Sequence, residues 1–233
     1  MLSRKIFQYD YDVLEYITLG NSNLYINTGY SPDVNSKIYL KFRGFNPSLN
    51  SQLFMGTRYS LGNKQCEIQG STENSIHYLR YNWGSNSVSA KWGNIGGDNP
   101  YFPRVSLQIT DIIESIISKN AFELIKNGES QGSYSYSWMG NSWSTNYPIV
   151  IGGFNHGTRV EIGSYPVYFY SFKLWENDEL KRDMVPARDR ITGLYGAYDI
   201  ENDVFYTSPT GTITDVGSVI YSIKHPIKSG PVV

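Results

Sequence analysis

Residues 167–179 read Val167-Tyr168-Phe169-Tyr170-Ser171-Phe172-Lys173-Leu174-Trp175-Glu176-Asn177-Asp178-Glu179. Two sets alternate in the first nine residues. Val167, Phe169, Ser171, Lys173 and Trp175 stand against Tyr168, Tyr170, Phe172 and Leu174. Period-2 alternation of aromatic and branched residues marks a half-buried strand, because successive strand side chains point to opposite faces. The second set is apolar throughout, so it is expected to face the core. The polar Glu176 to Glu179 then reads as a tight turn and Leu180 to Pro186 as the return strand.

The same grammar extends in both directions. Ser36 to Phe42 places Ile38, Leu40 and Phe42 on one face. Gln52 to Tyr59, Lys64 to Ile68, Ser75 to Asn82 and Ser87 to Trp92 are further strand candidates, and Val105 to Ile109 is the next alternating run. Ala121 to Ile125 ends at Asn127-Gly128, the strongest short-range hairpin signal. Pro148 to Gly153 is almost continuously apolar, as in a strand covered on both faces. Leu194 to Tyr198 and Val204 to Tyr206 form a last pair, turned by Glu201-Asn202-Asp203. Ile109 to Ser118 alone suits a short helix or a strand, its β-branched residues favouring neither decisively. Many short strands with regular turns predict an all-β sandwich or barrel. Residues 1–12 read as an N-terminal arm, 13–217 as the sandwich and 218–233 as a C-terminal arm or edge strand.

Composition bounds the function. Aromatics reach 15% of the chain, mostly tyrosine, and suit pleated surfaces and polar binding faces alike. Twenty basic and twenty-one acidic residues leave a net charge of −1, which lacks the positive field a nucleic-acid partner requires. The lone Cys66 forms no internal disulfide, and no Cys/His cluster has zinc spacing. No apolar stretch is long enough to span a bilayer, so no membrane partner is expected. The first residues, Met1 to Phe7, lack the apolar centre of a signal peptide.

Two regions carry a family resemblance. Leu14-Glu15-Tyr16-Ile17, Tyr25-Ile26-Asn27-Thr28-Gly29-Tyr30 and Lys37 to Phe42 resemble the opening of LamG-like jelly-roll domains of gut-bacterial and phage proteins. Tyr170-Ser171-Phe172-Lys173, Arg182-Asp183-Met184-Val185-Pro186, Gly193-Leu194-Tyr195 with Asp199, and Phe205-Tyr206 resemble the closing strands of the same family. One departure stands out: Gly196-Ala197-Tyr198 separates Leu194-Tyr195 from Asp199, which implies an insertion or a register change there. The resemblance implies a concanavalin A-like sandwich of two antiparallel sheets, one of which can curve around an oligosaccharide. It also raises glycan or surface binding as the function, although a fold alone does not fix one.

Glucanases share that fold and use paired carboxylates on one strand face. Glu176, Asp178 and Glu179 approach their spacing, as do Asp199, Glu201 and Asp203, but both sets fall in turn-like segments. No catalytic residue is assigned, and no enzyme activity is expected. A lectin-like site instead needs an aromatic platform for a pyranose face and polar groups for its hydroxyls. The stretch Tyr134 to Trp143 is polar and aromatic, so Trp138, Trp143 and Tyr136 are the candidate platform. Trp83 and Trp92 have similar neighbours, and any of these rings can equally cover the core or a subunit contact. Trp175 belongs to a matched strand and is read as structural. Asn155 and His156 follow the apolar 148–153 strand and are candidate sugar contacts, although a histidine so placed is more often a plain turn residue. Asp98, between Gly97 and Asn99, suits a turn as well as a cation, and neither metal nor cofactor is predicted.

The expected partner is thus a glycan or host-surface polysaccharide, met at a virion surface or outside the cell. Terminal arms add contacts to virion proteins or to a second copy. The alternatives are a structural capsid-decoration, head-fibre or tail protein and, further off, a glycoside hydrolase.

Overall fold

The computed structural model describes residues 10–21, 23–59, 64–73, 76–93, 105–135 and 142–224. Strands succeed one another without an intervening helix among them. The first are β1 (Tyr11–Leu14), β2 (Ile17–Leu19), β3 (Ile26–Asn27), β4 (Ser36–Arg43), β5 (Gln52–Tyr59) and β6 (Lys64–Glu73). There follow β7 (Ile76–Trp83), β8 (Ser85–Gly93), β9 (Ile112–Ser118), β10 (Phe122–Lys126), β11 (Glu129–Tyr134), β12 (Val150–Ile151) and β13 (Gly153–Asn155). The last are β14 (Val160–Ile162), β15 (Val167–Glu176), β16 (Glu179–Asp189), β17 (Tyr195–Asp199), β18 (Val204–Tyr206) and β19 (Val219–Ile223).

They form two sheets packed as a jelly-roll sandwich, the all-β class the sequence predicts. The larger sheet runs β11-β10-β9-β4-β15-β16-β1-β19, with β17 and β18 extending from β16 and β2 beside β15. The smaller runs β14-β13-β5-β6-β7-β8, with β12 joining β5 to β3. Pairing is antiparallel save for one parallel contact, Asn155 to Thr57, between β13 and β5. Inward residues of the larger sheet, including Ile38, Leu40, Phe42, Ile113, Phe172 and Leu174, meet Met55, Cys66, Ile68, Leu79, Tyr81 and Trp83 of the smaller. Each of these large side chains contributes about 1.5–3 kcal/mol by leaving water. Phe42 and Phe54 touch across the layers, 4.5 Å between ring centres, and the Tyr81 hydroxyl hydrogen-bonds Ser115 inside the core. Cys66 is one of these core residues, and burial pushes its thiol well above the ordinary range.

Both short hairpins close as their residues dictate. Asn127 and Gly128 have φ of 52° and 83°, and Asn177 and Asp178 have 49° and 65°, the two successive positive values of a type I′ turn. Ile112–Ser118, open to either reading in the sequence, is a strand: Ile113, Ser115 and Ile117 alternate inward.

Three expectations are corrected. In β15 the inward set is Val167, Phe169, Phe172 and Leu174, not the four residues from Tyr168 to Leu174. A β-bulge between Phe169 and Ser171 changes the register against β4. The extra residue, Tyr170, shifts the alternation by one, which a strict period of two cannot anticipate. Val105 to Ile109 forms no strand; Val105 and Leu107 are buried from an irregular segment. Of the insertion or register change expected at Gly196-Ala197-Tyr198, a register change against β16 is not seen: those residues lie inside β17 and pair with β16 in unbroken register.

At the far edge of the larger sheet β19 pairs antiparallel with β1, and its Val219, Ile220 and Tyr221 are 55%, 60% and 50% exposed.

Candidate functional site

Of the candidate residues from the sequence, Trp143, Asn155 and His156 fall among the described residues. Trp138 and Tyr136 lie outside the described residues, as do Asp98 and the side chain of Trp92. Trp143 is only 7% exposed and belongs to the core, which corrects its expected exposure. Its backbone carbonyl accepts the Val34 N–H at 3.0 Å, so residues 142–145 run extended along the start of the Val34 turn. Trp143 and Thr145 consequently point inward while Ser142 and Ser144 are exposed. The indole stands edge-on to Trp83, 4.9 Å between ring centres. It also covers Gly84, where a Cβ would lie 2.8 Å from the Trp143 ring. Asn155 is 7% exposed and spends its side chain on its own loop. It donates to the Pro148 carbonyl at 2.9 Å and accepts from the Gly157 N–H at 2.8 Å. His156 faces Glu161, Nε2 to Oε2 3.0 Å, across the β13–β14 turn.

A different place offers a built recess. The end of β4, the start of β5, the turn before β9 and the approach to β15 enclose an open cleft of about 220 Å³. Arg43, Gln52, Ile109, Thr110, Tyr165 and Tyr168 line it. Register explains its aromatic wall: Arg43 lies opposite Tyr168 in the β4–β15 ladder, so both point outward. The guanidinium sits 4.3 Å from the Tyr168 ring centre and 5.7 Å from that of Tyr16. Such stacking is favourable by about 0.5–1 kcal/mol at exposed sites and fixes the head group in place. Burial raises the neighbouring Tyr170 phenol above its ordinary pKa, and the positive charge of Arg43 opposes that rise.

Gly44 lets the cleft form. Its φ is +118°, and a Cβ there would stand 2.5 Å from the Pro166 carbonyl oxygen. Glycine alone allows both the conformation and the approach. Gln52 supplies an unusual feature at the base. It is 2% exposed, its Oε1 accepts the Asn46 N–H at 2.9 Å, and its Nε2 has no partner among the described residues. An unmet buried donor costs about 1–3 kcal/mol. Nothing in the sequence around Gln52 flagged it, since the cleft is assembled from four separate segments.

The outer face of the smaller sheet carries a second polar group that the sequence did not reveal. Glu67 is fully buried, and its Oε1 accepts from both Arg58 (2.8 Å) and Asn82. Asn82 in turn accepts from Arg80 Nε at 2.9 Å. Glu67 Oε2 and Arg58 Nε remain without partners among the described residues. One acceptor beside one donor is the complement of a single hydroxyl group or water molecule.

The carboxylates weighed for hydrolysis are placed in structural settings. Asp178 and Glu179 are exposed in the β15–β16 turn. Asp199 is fully buried and accepts from the Asp183 and Glu201 N–H groups and from Asn202, with Arg182 Nε at 3.5 Å. Asp203 accepts the Tyr198 hydroxyl at 2.6 Å. Among the described residues no group of three or more His, Cys, Asp or Glu is placed to hold a metal ion. No helix among them is long and apolar enough to cross a membrane.

Fold and cleft together define a two-sheet β-sandwich with a preformed surface recess. No protein-family model and no curated protein matches the chain. Among solved structures it is similar to mouse laminin alpha1 domains LG4-5, at 14% identity and a TM-score of 0.41 over 75% of this chain. It spans 44% of that laminin fragment. It is similar too to the native heptameric SAP-like pentraxin of Limulus polyphemus, at 12% identity and a TM-score of 0.44, covering 93% of this chain and 96% of that one. A third likeness is to Scytalido-glutamic peptidase with a peptide-based transition-state analogue, at 13% identity and a TM-score of 0.34, covering 91% and 99%.

Proposed function

We propose that this chain is a non-catalytic carbohydrate-binding domain that works on an extracellular or virion surface. The observation that carries the reading is the cleft between β4, β5 and β15. It combines a tyrosine wall held by Arg43 with a buried, unpartnered amide donor at Gln52. An aromatic face for a pyranose ring and fixed polar groups for its oxygens are what sugar recognition needs. The placement on a phage surface is supported by the LamG-like sequence motifs. The non-catalytic reading is supported by carboxylates that are committed to turns and to structural hydrogen bonds.

Tyr168→Ala removes the wall without touching the core. On a glycan array, the ligands that wild-type protein retains are expected to lose about tenfold or more in affinity. Affinity within about twofold of wild type would move the site elsewhere. Release of reducing sugar from any polysaccharide in a panel would overturn the non-enzymatic reading.

A structural role is the second reading, favoured by β19. Its outer edge is unpaired among the described residues, and three successive apolar side chains there are half or more exposed. An exposed strand edge is a template for another chain. If docking is the main role, Ile220→Lys shifts the sedimentation coefficient of wild-type oligomers to that of a monomer and leaves glycan binding intact. A wild-type chain that sediments as a monomer at every concentration counts against it.

A further inference from the structure

We infer that the cleft is built for an acidic saccharide, one presenting a carboxylate or an equivalent anionic oxygen group; this rests on the carbohydrate-binding reading above. The two amide oxygens in the cleft each accept one backbone N–H already. Gln52 Oε1 accepts the Asn46 N–H and Asn46 Oδ1 accepts the Ser48 N–H, each at 2.9 Å. The group there that has no partner at all among the described residues is a donor. Gln52 Nε2 is buried and unpartnered among the described residues. The Arg43 head group has tyrosine faces as its contacts and takes part in no ion pair among the described residues.

The contrast with its neighbours is informative. Lys41, two residues earlier on the same face, is paired with Glu114 at 3.3 Å. Lys173 on β15 is paired with Asp183 at 2.9 Å. Arg43, at the end of this outward row, sets its charge against tyrosine rings at the cleft, and Lys37, at the other end, lies over the Trp175 ring at 5.3 Å. Among the described residues no carboxylate lines the cleft. The acid next in sequence to Thr110 is Asp111, and both its oxygens are engaged: Oδ2 accepts the Gln108 N–H and Oδ1 accepts from Asn127 Nδ2, each at 2.8 Å.

A neutral sugar hydroxyl both donates and accepts, so a site for it gains from acceptors as well as donors. Here the acceptors left over are the hydroxyls of Thr110, Tyr165 and Tyr168. The fixed charge and the fixed amide are both donors. A guanidinium presents a planar fork that matches an anionic oxygen pair, and stacking on Tyr168 pre-organises it. An acceptor-rich ring substituent near Arg43 and Gln52 therefore satisfies the cleft better than a neutral one.

The test compares three probes by titration calorimetry: a trisaccharide of galacturonate, the same trisaccharide with its carboxyl groups reduced to primary alcohols, and a sulfated neutral trisaccharide. Wild type is expected to bind at least one anionic probe about tenfold more tightly than the reduced one. The preference should fall as salt rises. Preference for the uronate identifies the anion as carboxylate, and preference for the sulfated probe identifies it as sulfate. Arg43→Gln is expected to abolish the preference, so that the anionic and the reduced probes bind the variant with equal affinity. Arg43→Lys, which keeps the charge and loses the fork, is expected to retain part of it. Equal binding of charged and reduced probes, or a preference that survives Arg43→Gln, overturns the acidic-ligand inference and leaves carbohydrate binding standing. Failure of all probes and of a neutral glycan array overturns both.

Discussion

Trp143→Ala is expected to lower the free energy of unfolding by about 3–5 kcal/mol, the range for truncating a large aromatic in a packed core. For a domain of this size that corresponds to a fall in Tm of roughly 6–20 °C. The indole is 7% exposed, packs edge-on against Trp83 at 4.9 Å and roofs Gly84, so its removal opens a cavity beside both. Trp143→Phe separates the ring from its N–H. The indole Nε1 of Trp143 has no hydrogen-bond partner among the described residues, and neither has that of Trp83. Phenylalanine keeps an aromatic contact and removes one unmet donor, so it should cost under about 1.5 kcal/mol, as volume-tolerant core swaps do. Urea unfolding followed by tryptophan fluorescence reads both. A surface sugar platform would give the opposite signature: unchanged stability for the alanine variant with lost glycan binding.

The Trp143 case shows where the sequence was legible and where it was not. Ser142, Trp143, Ser144 and Thr145 alternate in and out along an extended segment, and that period was present to be read. The run of small polar neighbours from Tyr134 onward outweighed it and suggested a loop. Strands with longer alternation were recovered from pattern alone. Ile38, Leu40 and Phe42 face the core as expected, and Asn127-Gly128 closes its hairpin, because side-chain period and turn chemistry are local properties. The β15 bulge was not legible, since a one-residue slip depends on how Tyr170 meets β4 and leaves no local mark. The cleft was beyond reach for a stronger reason. Arg43, Gln52, Thr110 and Tyr168 come from four segments whose meeting is set by sheet order, and Gln52 looks like any polar residue at a strand start. The Glu67, Arg58 and Asn82 group is similar: its members lie on three neighbouring strands, and only their register joins them.

Asp199→Ala is the second large expected effect, and it bears on the choice between binding protein and hydrolase. The carboxylate is fully buried, and both oxygens are committed. Oδ1 accepts the Asp183 N–H at 3.0 Å and the Glu201 N–H at 3.2 Å. Oδ2 accepts Asn202 Nδ2 at 2.8 Å and faces Arg182 Nε at 3.5 Å. The turn it closes is tied to β16 independently, by the Ile200 N–H on the Asp183 carbonyl at 2.8 Å and by Asn202 on the Lys181 carbonyl at 2.7 Å. Alanine would leave two buried backbone donors without their acceptor and take the opposite charge from Arg182, which keeps its bonds to the Thr28 and Lys181 carbonyls, a loss of about 2–5 kcal/mol. Asparagine should cost less, about 1.5–3 kcal/mol. It preserves Oδ1 for the backbone while turning an N–H₂ toward Asn202 and Arg182, donor against donor. Adding Arg182→Met to each variant should reduce the penalty, since the unpaired charge goes with it; the coupling is read from a double-mutant cycle. An acid poised for sugar chemistry would behave otherwise. It needs an oxygen free to hold or release a proton within reach of a glycosidic bond, and its replacement by alanine would leave the unfolding midpoint where it was. A wild-type midpoint for Asp199→Ala therefore reopens the catalytic reading, and a collapse of stability assigns the residue to the fold.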